Sequence, residues 1–325
     1  MVFAACADAW LRPGRRLSGG IRLNASIDTP AGWLARLDLE FAVQGTRTVL
    51  ARRSHEGPLV VQRPFYPEGD VCHVYLVHPP GGVVGGDTLE LRAQVRDGAH
   101  ALITTPSATK FYRTDGRVAR QLQEIVLDAA TFEWLPQETI LFPDACANIA
   151  TRVRLSERSK FIGWEIVCYG RPASGLLYSS GRAHQDFELW LNDVPLVLDH
   201  LRLDGASDSM HSRFGLAGHT AMGTMFAYPA DQALLELART VSLIAGAGTA
   251  TATAAPSSCG RDASHASARE STGAQVACTK VDGVLVCRAI GSQADAVRRA
   301  LASIWSLIRP PIAGRAATPP RIWST

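Results

Sequence analysis

The chain has 325 residues, 46% of them hydrophobic and 19% charged, which is enough apolar length to bury a large core in one big β domain or two ordinary domains. Its formal charge of +3 is small and its Lys and Arg are scattered, so the basic footprint of a nucleic-acid binder is missing. Seven widely spaced cysteines with no C-x-x-C pair make neither a disulfide framework nor a structural zinc site.

Residues 1–36 form an N-terminal segment with no assignable element. Its few apolar residues precede Arg12, Arg15 and Arg16, the reverse of a secretory signal, where positive charge comes first. No stretch approaches the uninterrupted apolar length of a membrane helix. A reducing cytoplasm is the expected compartment.

From residue 37 to about 203 the sequence is a succession of short apolar runs punctuated by Gly, Pro, Asp and Asn. The runs 58–61, 71–77, 101–105, 123–127, 151–155, 161–169 and 187–191 have the length and spacing of strands. No long helical period interrupts them, which excludes the β-α rhythm of a doubly wound sheet. A sandwich, a barrel and a superhelical β stack all fit this pattern.

The run 71–87, VCHVYLVHPPGGVVGGD, leads a strand into two prolines and four glycines and ends on a carboxylate. The prolines fix extended backbone, and the glycine pairs permit positive φ or close approach by neighbouring backbone or a partner. Cys72, His73 and His78 are its metal-capable side chains. On a strand Cys72 and His78 share one face and His73 takes the other, so the three converge on one ion only across a bulge. Two readings stand: a core cysteine, a hydrogen-bonded histidine and a turn residue, or a relay for a transition-metal ion.

In 161–169 one parity carries Ile162, Trp164, Ile166 and Cys168, the other Phe161, Gly163, Glu165, Val167 and Tyr169. Such a strand is apolar on both faces with one carboxylate embedded in it. Burying an unpaired charge is costly. Glu165 therefore needs an arginine such as Arg171 or Arg182, a dense set of donors, or a hydrated internal passage. Asp87 ends the glycine-rich turn, Lys110 closes the block TPSATK, and Glu133 and Glu138 flank WLPQ. Each alone reads as a cap, a turn residue or a salt-bridge partner; together they read as the lining of a polar route.

Helices are expected late. One begins at Pro229, with Leu234, Leu237, Val241 and Ile244 three or four apart, and runs to Gly246. A second follows Ser292 with Asp295 completing a capping box, carries Ala294, Val297, Leu301, Ile304, Trp305 and Ile308 on one stripe, and stops at Pro310 and Pro311. Between them, residues 246–273 hold too few large apolar side chains to offset the entropy of ordering, so a flexible insertion is expected, with Cys259 and His265 incidental. The apolar tail near Ile322 and Trp323 must dock on its own domain or on something else. Standard catalytic signatures are absent. GGVVGG lacks the Lys-Ser/Thr of a phosphate loop, GAG at 246–248 lacks a third glycine, and neither G-x-S-x-G nor H-E-x-x-H occurs.

The blocks HPPGGVVGGD, TTPSATKFYR, EWLPQETILF, GWEIVCYGRPASG and PPRIWST, in this order, resemble the urease accessory protein D family, also called UreH, from about Leu39 to Thr325. The resemblance implies a mainly β fold of β-helix-like stacked sheets with two or so helices in the C-terminal half, and a single domain over 37–325. It implies a scaffold and no enzyme. Such a scaffold binds the urease apoprotein and an all-helical UreF-type partner, recruits a UreG-type GTPase through it, and forms a hetero-complex dimerised through the UreF-type protein. No cofactor would be bound permanently, and nickel would be cargo in transit. Asp87, Lys110, Glu133, Glu138 and Glu165 would line the route, with Cys72, His73 and His78 as weaker candidates. A route must hold an ion weakly at several places, which suits carboxylates and carbonyls better than a closed Cys/His cage. The alternatives are a β-rich hydrolase using Glu133 and Glu165, or a carbohydrate- or peptide-binding module, which an unclustered 7% of aromatic residues disfavours.

Overall fold

The computed structural model describes residues 32–247 and 273–324. Residues 1–31 of the N-terminal segment 1–36, and residues 248–272 of the insertion expected over 246–273, with Cys259 and His265, lie outside the described residues.

Strands β1 (Leu34–Gln44) and β2 (Arg47–Glu56) form an antiparallel hairpin with a bulge at Glu40 and Phe41. Short β3 (Val60–Val61) pairs with β4 (Cys72–Val77). The chain then winds in coils. One is β5 (Thr88–Val95), β6 (His100–Thr104) and β7 (Thr109–Phe111). The next is β8 (Ala119–Leu127), β9 (Thr131–Trp134) and β10 (Thr139–Leu141). A third is β11 (Cys146–Leu155) and the long β12 (Lys160–Arg171). Each strand pairs in parallel with its counterpart one coil on: β5 with β8, β8 with β11, β6 with β9, β7 with β10, and both β9 and β10 with β12. Parallel neighbours need long crossovers, usually helical; here the crossovers are the strands of the other walls. The result is the β-helix-like stack that the resemblance implied, not a barrel.

After the two-residue β13 (Leu176–Leu177), β14 (Arg182–Leu191) extends the first wall in parallel and β15 (Val194–Asp204) returns antiparallel, with a bulge at Leu189 and Trp190. Strand β16 (Ala221–Tyr228) lies antiparallel to β12, and the hairpin of β17 (Gln275–Val281) and β18 (Val284–Gly291) continues that sheet. These three strands were not among the expected runs. Helices α1 (Gln232–Ala247) and α2 (Ala294–Ala313) cover the sheet's outer side. No helix among the described residues is long and apolar enough to cross a membrane.

Two cores follow from strand alternation. Between the walls, residues such as Leu39, Ala93, Ile125, Val153 and Leu189 stack in register from coil to coil, all buried. On the other side of the second sheet, Ile162, Trp164 and Ile166 pack under α2 residues Val297, Leu301, Ile304, Trp305 and Ile308. Strand β12 is thus apolar on both faces, as its sequence requires. The glycine pairs of the 79–87 turn serve internal packing: Gly82 lies against the Tyr112 ring, and Gly86, at φ 96°, lies against Gly32.

Both helix boundaries correct the expectation. Strand β16 consumes the chain as far as Tyr228, and the Asp231 carboxylate accepts the Leu234 N–H at 2.8 Å, so α1 begins at Gln232 and not at Pro229. Helix α2 passes through Pro310 and Pro311 to Ala313, held down by buried Ile308, Arg309 and Ile312 and closed by Gly314 in the left-handed conformation. Asp295 forms no capping box; it pairs with Arg298 at 2.7 Å and with Arg299. The tail docks on its own domain, where Trp323 packs against Trp164 and Trp305 with ring centroids 5.4 Å apart in each pair.

Leu301 is fully buried between α2 and the sheet. Leu301→Ala should lower unfolding stability by about 2–5 kcal/mol, by transfer and cavity terms together. Denaturant unfolding followed by tryptophan fluorescence checks this.

Candidate functional site

In the first wall, alternation puts Gln121, Gln123, Thr151 and Gln185 on the interior face while charged residues such as Arg152 and Glu188 face outward. Gln123 pairs in register with Thr151, whose hydroxyl lies 3.0 Å from Gln123 Oε1. Opposite, the interior parity of β12 carries Glu165, and the Thr151 hydroxyl hydrogen-bonds its Oε1. Glu165 enters no ion pair among the described residues. Arg171 lies instead over the Phe142 ring at 5.1 Å. Burial pushes the Glu165 carboxyl up to about 7; the Thr151 hydrogen bond opposes this and the charges of Asp199 and Asp186 reinforce it.

Glu165 lines two cavities. The larger holds about 930 Å³ of space, partly open to solvent, and is also lined by His78, Gln121, Gln123, Trp134 and Thr139. Two of its lining residues carry buried polar atoms, Trp134 Nε1 and Gln121 Oε1, that have no hydrogen-bond partner among the described residues. The smaller, about 340 Å³, lies towards β14, β15 and β16 and is lined by Gln185, Asp199 and Thr224. One half-buried carboxyl is therefore common to both spaces.

The other expected residues are dispersed. Asp87 is a turn residue, its carboxylate accepting the N–H groups of Trp33 at 2.8 Å and Val84 at 3.1 Å. Lys110 and Glu138 each give a backbone carbonyl to a neighbouring coil, to Val83 N at 2.7 Å and Thr109 N at 3.0 Å, and line neither cavity. Cys72 is buried in the inter-wall core, which pushes its thiol up to about 11. His73 faces the opposite side, with Nε2 2.7 Å from Glu68 Oε1. His78 alone of these three lines the larger cavity, and burial lowers its pKa. Among the described residues, no group of three or more His, Cys, Asp or Glu is placed to hold a metal ion.

Glu133 is fully buried and points away from the cavities, towards the helices. Its carboxylate accepts from His100 Nε2 at 2.8 Å, Trp305 Nε1 at 2.7 Å, and Arg309 Nε at 3.0 Å on both oxygens. Arg309, also fully buried, extends its two terminal nitrogens to Glu68 at 2.8 Å each. Burial alone would raise the Glu133 carboxyl, but His100 and Arg309 overcome it and hold it at about 2. Arg309 is not among the expected site residues; its signal in the sequence is a charge four residues beyond Trp305 on the buried stripe. Because Glu133 pairs in register with helix-facing Ile162, it and Glu165 lie on opposite faces of one sheet. The two carboxylates that a glycoside hydrolase brings to one bond are not assembled from this pair.

In architecture this is a β-helix-like scaffold whose polar groups line an interior space. Residues 34–324 match the family model described as UreD urease accessory protein. Proteins named urease accessory protein UreD are similar along most of their length: that of Citrobacter koseri is 39% identical over 295 residues, covering 90% of this chain and 92% of the relative. That of Alkalilimnicola ehrlichii is 40% identical with the same coverage, and that of Klebsiella aerogenes is 37% identical, covering 90% and 97%. The chain belongs to the UreD family of urease accessory proteins.

Two stability predictions follow from these carboxylates. A folded-state pKa near 2 for Glu133 lies below the ordinary value of about 4.3, so its contribution is present above pH 4.3 and is lost as pH falls towards 2. Arg309→Ala, which leaves Glu133 and Glu68 without their cation, should cost about 3–5 kcal/mol at pH 7, measured by denaturant unfolding. Glu165 has the opposite sign. Its raised pKa means that ionisation costs stability as pH rises from about 4.3 to 7. Glu165→Gln should therefore be more stable than wild type by about 1–3 kcal/mol at pH 8, with the gap closing only as pH falls to about 4, in matched melts at the two pH values.

Proposed function

We propose that this chain acts in the cytoplasm as a scaffold for urease maturation, holding the urease apoprotein and UreF- and UreG-type partners while nickel passes through it. The observation that carries the reading is the Glu165 carboxyl common to two cavities lined by residues of the inter-wall core. A single oxygen ligand with hydroxyl and amide neighbours holds a divalent ion weakly, which suits passage and not storage. Thr151 fixes one carboxyl oxygen and so orients the other. His78 stands in the larger cavity as a second ligand of the type nickel accepts. A carboxyl that titrates near neutrality exchanges a proton for a metal ion at little electrostatic cost. The chain itself would break no covalent bond, GTP hydrolysis belonging to the UreG-type partner.

The test is co-expression with UreF-type and UreG-type proteins and the urease subunits. Glu165→Gln and Glu165→Ala should co-purify with the partners as wild type does, yet lower the nickel content of the matured urease several-fold. Glu138→Gln, outside both cavities, should load normally. Full nickel occupancy in both Glu165 variants would remove this carboxyl from the route.

A further inference from the structure

Strands β17 and β18 place Cys278 directly opposite Cys287. The register is set by the two-residue turn between them, where Asp282 and Gly283 have φ of 45° and 77°. Two positive φ values in a two-residue loop define the hairpin turn whose flanking residues, Val281 and Val284, exchange both backbone hydrogen bonds. Hydrogen-bonded and non-hydrogen-bonded pairs alternate from there. Cys278 and Cys287, three pairs along, form a non-hydrogen-bonded pair. In such pairs the Cα atoms are about 4.5 Å apart and the side chains are at their closest, within the window of roughly 4.4–6.8 Å that a disulfide spans.

The surroundings give the two sulfurs different roles. Cys287 is fully buried in the core beneath the helices, while Cys278 is half-buried at the margin of the same core, on a strand whose only neighbour among the described strands is β18. The Cys278 sulfur hydrogen-bonds the Cys287 thiol and, together with burial, raises its pKa, so Cys287 keeps its proton and Cys278 is the sulfur an outside reagent meets. The backbone of Cys278 is also held from α1, through Arg239 Nε on its carbonyl at 3.4 Å.

We propose that Cys278 and Cys287 are a redox-reactive dithiol that closes to a cross-strand disulfide when a low-molecular-weight disulfide such as oxidised glutathione is present. Cys278 thiolate attacks one sulfur of the oxidant, forming a mixed disulfide and releasing one thiolate. Cys287 then gives its proton to water and attacks the Cys278 sulfur, expelling the second thiolate. Two protein thiols are oxidised to one bond, and one small disulfide is reduced to two thiols. Closure adds a covalent tie between the edge strand β17 and β18, and α1 meets that edge strand through the Arg239 hydrogen bond. A bond of this kind on a sheet edge is labile and reopens under reducing poise, so the site is reversible. It does not depend on the nickel reading.

The full-length chain is incubated with oxidised glutathione, its remaining thiols are blocked, and it is digested with trypsin, which cuts after Lys280 between the two cysteines. The expected result is a peptide linked between Cys278 and Cys287, a fall of two in the titre of the seven thiols, and recovery with dithiothreitol. Cys72 and Cys168, whose thiols burial pushes up to about 11, should remain reduced. Cys287→Ser should stop at one glutathione on Cys278. A glutathione adduct that persists on Cys278 in wild type, a bridge from Cys278 to Cys259 or any other cysteine, or two intact thiols after treatment would each overturn the proposal. The wild-type digest decides the matter even where the serine variant fails to fold.

Discussion

A guanidinium without access to water, forked between two carboxylates from distant parts of the chain, fixes the relation of the helix layer to the stack. Arg309 comes from the last turns of α2, Glu133 from the middle of β9 and Glu68 from the loop before β4. His100 and Trp305 complete the shell around Glu133, and His73 joins it through Glu68. Buried ion pairs of this kind gain little over an apolar contact, but removing one member leaves a charge stranded. Their effect is selective: a packing of α2 that slid by one turn along the sheet would keep its apolar contacts and still be disfavoured. This also accounts for a helix running through two prolines, since the side chains on either side of them are anchored.

The same sheet shows how environment divides one residue type into two roles. Glu133 and Glu165 sit on neighbouring strands and point to opposite faces. The first meets three donors, one of them a guanidinium, and is held ionised; the second meets a hydroxyl and, further off, two carboxylates, and is held near the edge of ionisation. Sequence spacing places each carboxylate correctly on its strand. What surrounds it comes from elsewhere in the chain.

That difference explains what could be read in advance. Strands β3, β4, β6, β8, β11, β12 and β14 were legible because each run has its own alternation and its own turn residues, whereas β5, β7, β9, β10 and β13 lie outside the expected runs; the stripe on α2 was legible because helical period is local. The burial of Glu165 followed from β12 alone, whose two parities are both apolar. The partners of Glu133 were not legible, because they lie 33, 172 and 176 residues away. Asp87 shows the converse: its turn was visible, but only the fold reveals that Trp33, 54 residues away, occupies its second oxygen. Strands β16 to β18 were not legible because they sit beside the stretches whose helical period dominates the C-terminal part of the sequence.

Stacked parallel coils carry a hazard of their own, since the last coil offers the next molecule the same template that it offered its predecessor. Here the first wall ends at both sides in an antiparallel return, β2 at one edge and β15 at the other. Each return is bulged, β2 is mostly exposed and carries Arg52, Arg53, His55 and Glu56, and β15 carries Pro195 among Asp199, His200 and Arg202. Reversal, kinks, a missing N–H and charge are the features that blunt sheet edges against further pairing. The solenoid is thereby limited to its own coils, and joining to another chain along this wall is left to side-chain recognition and not to the indiscriminate hydrogen bonding of open backbone.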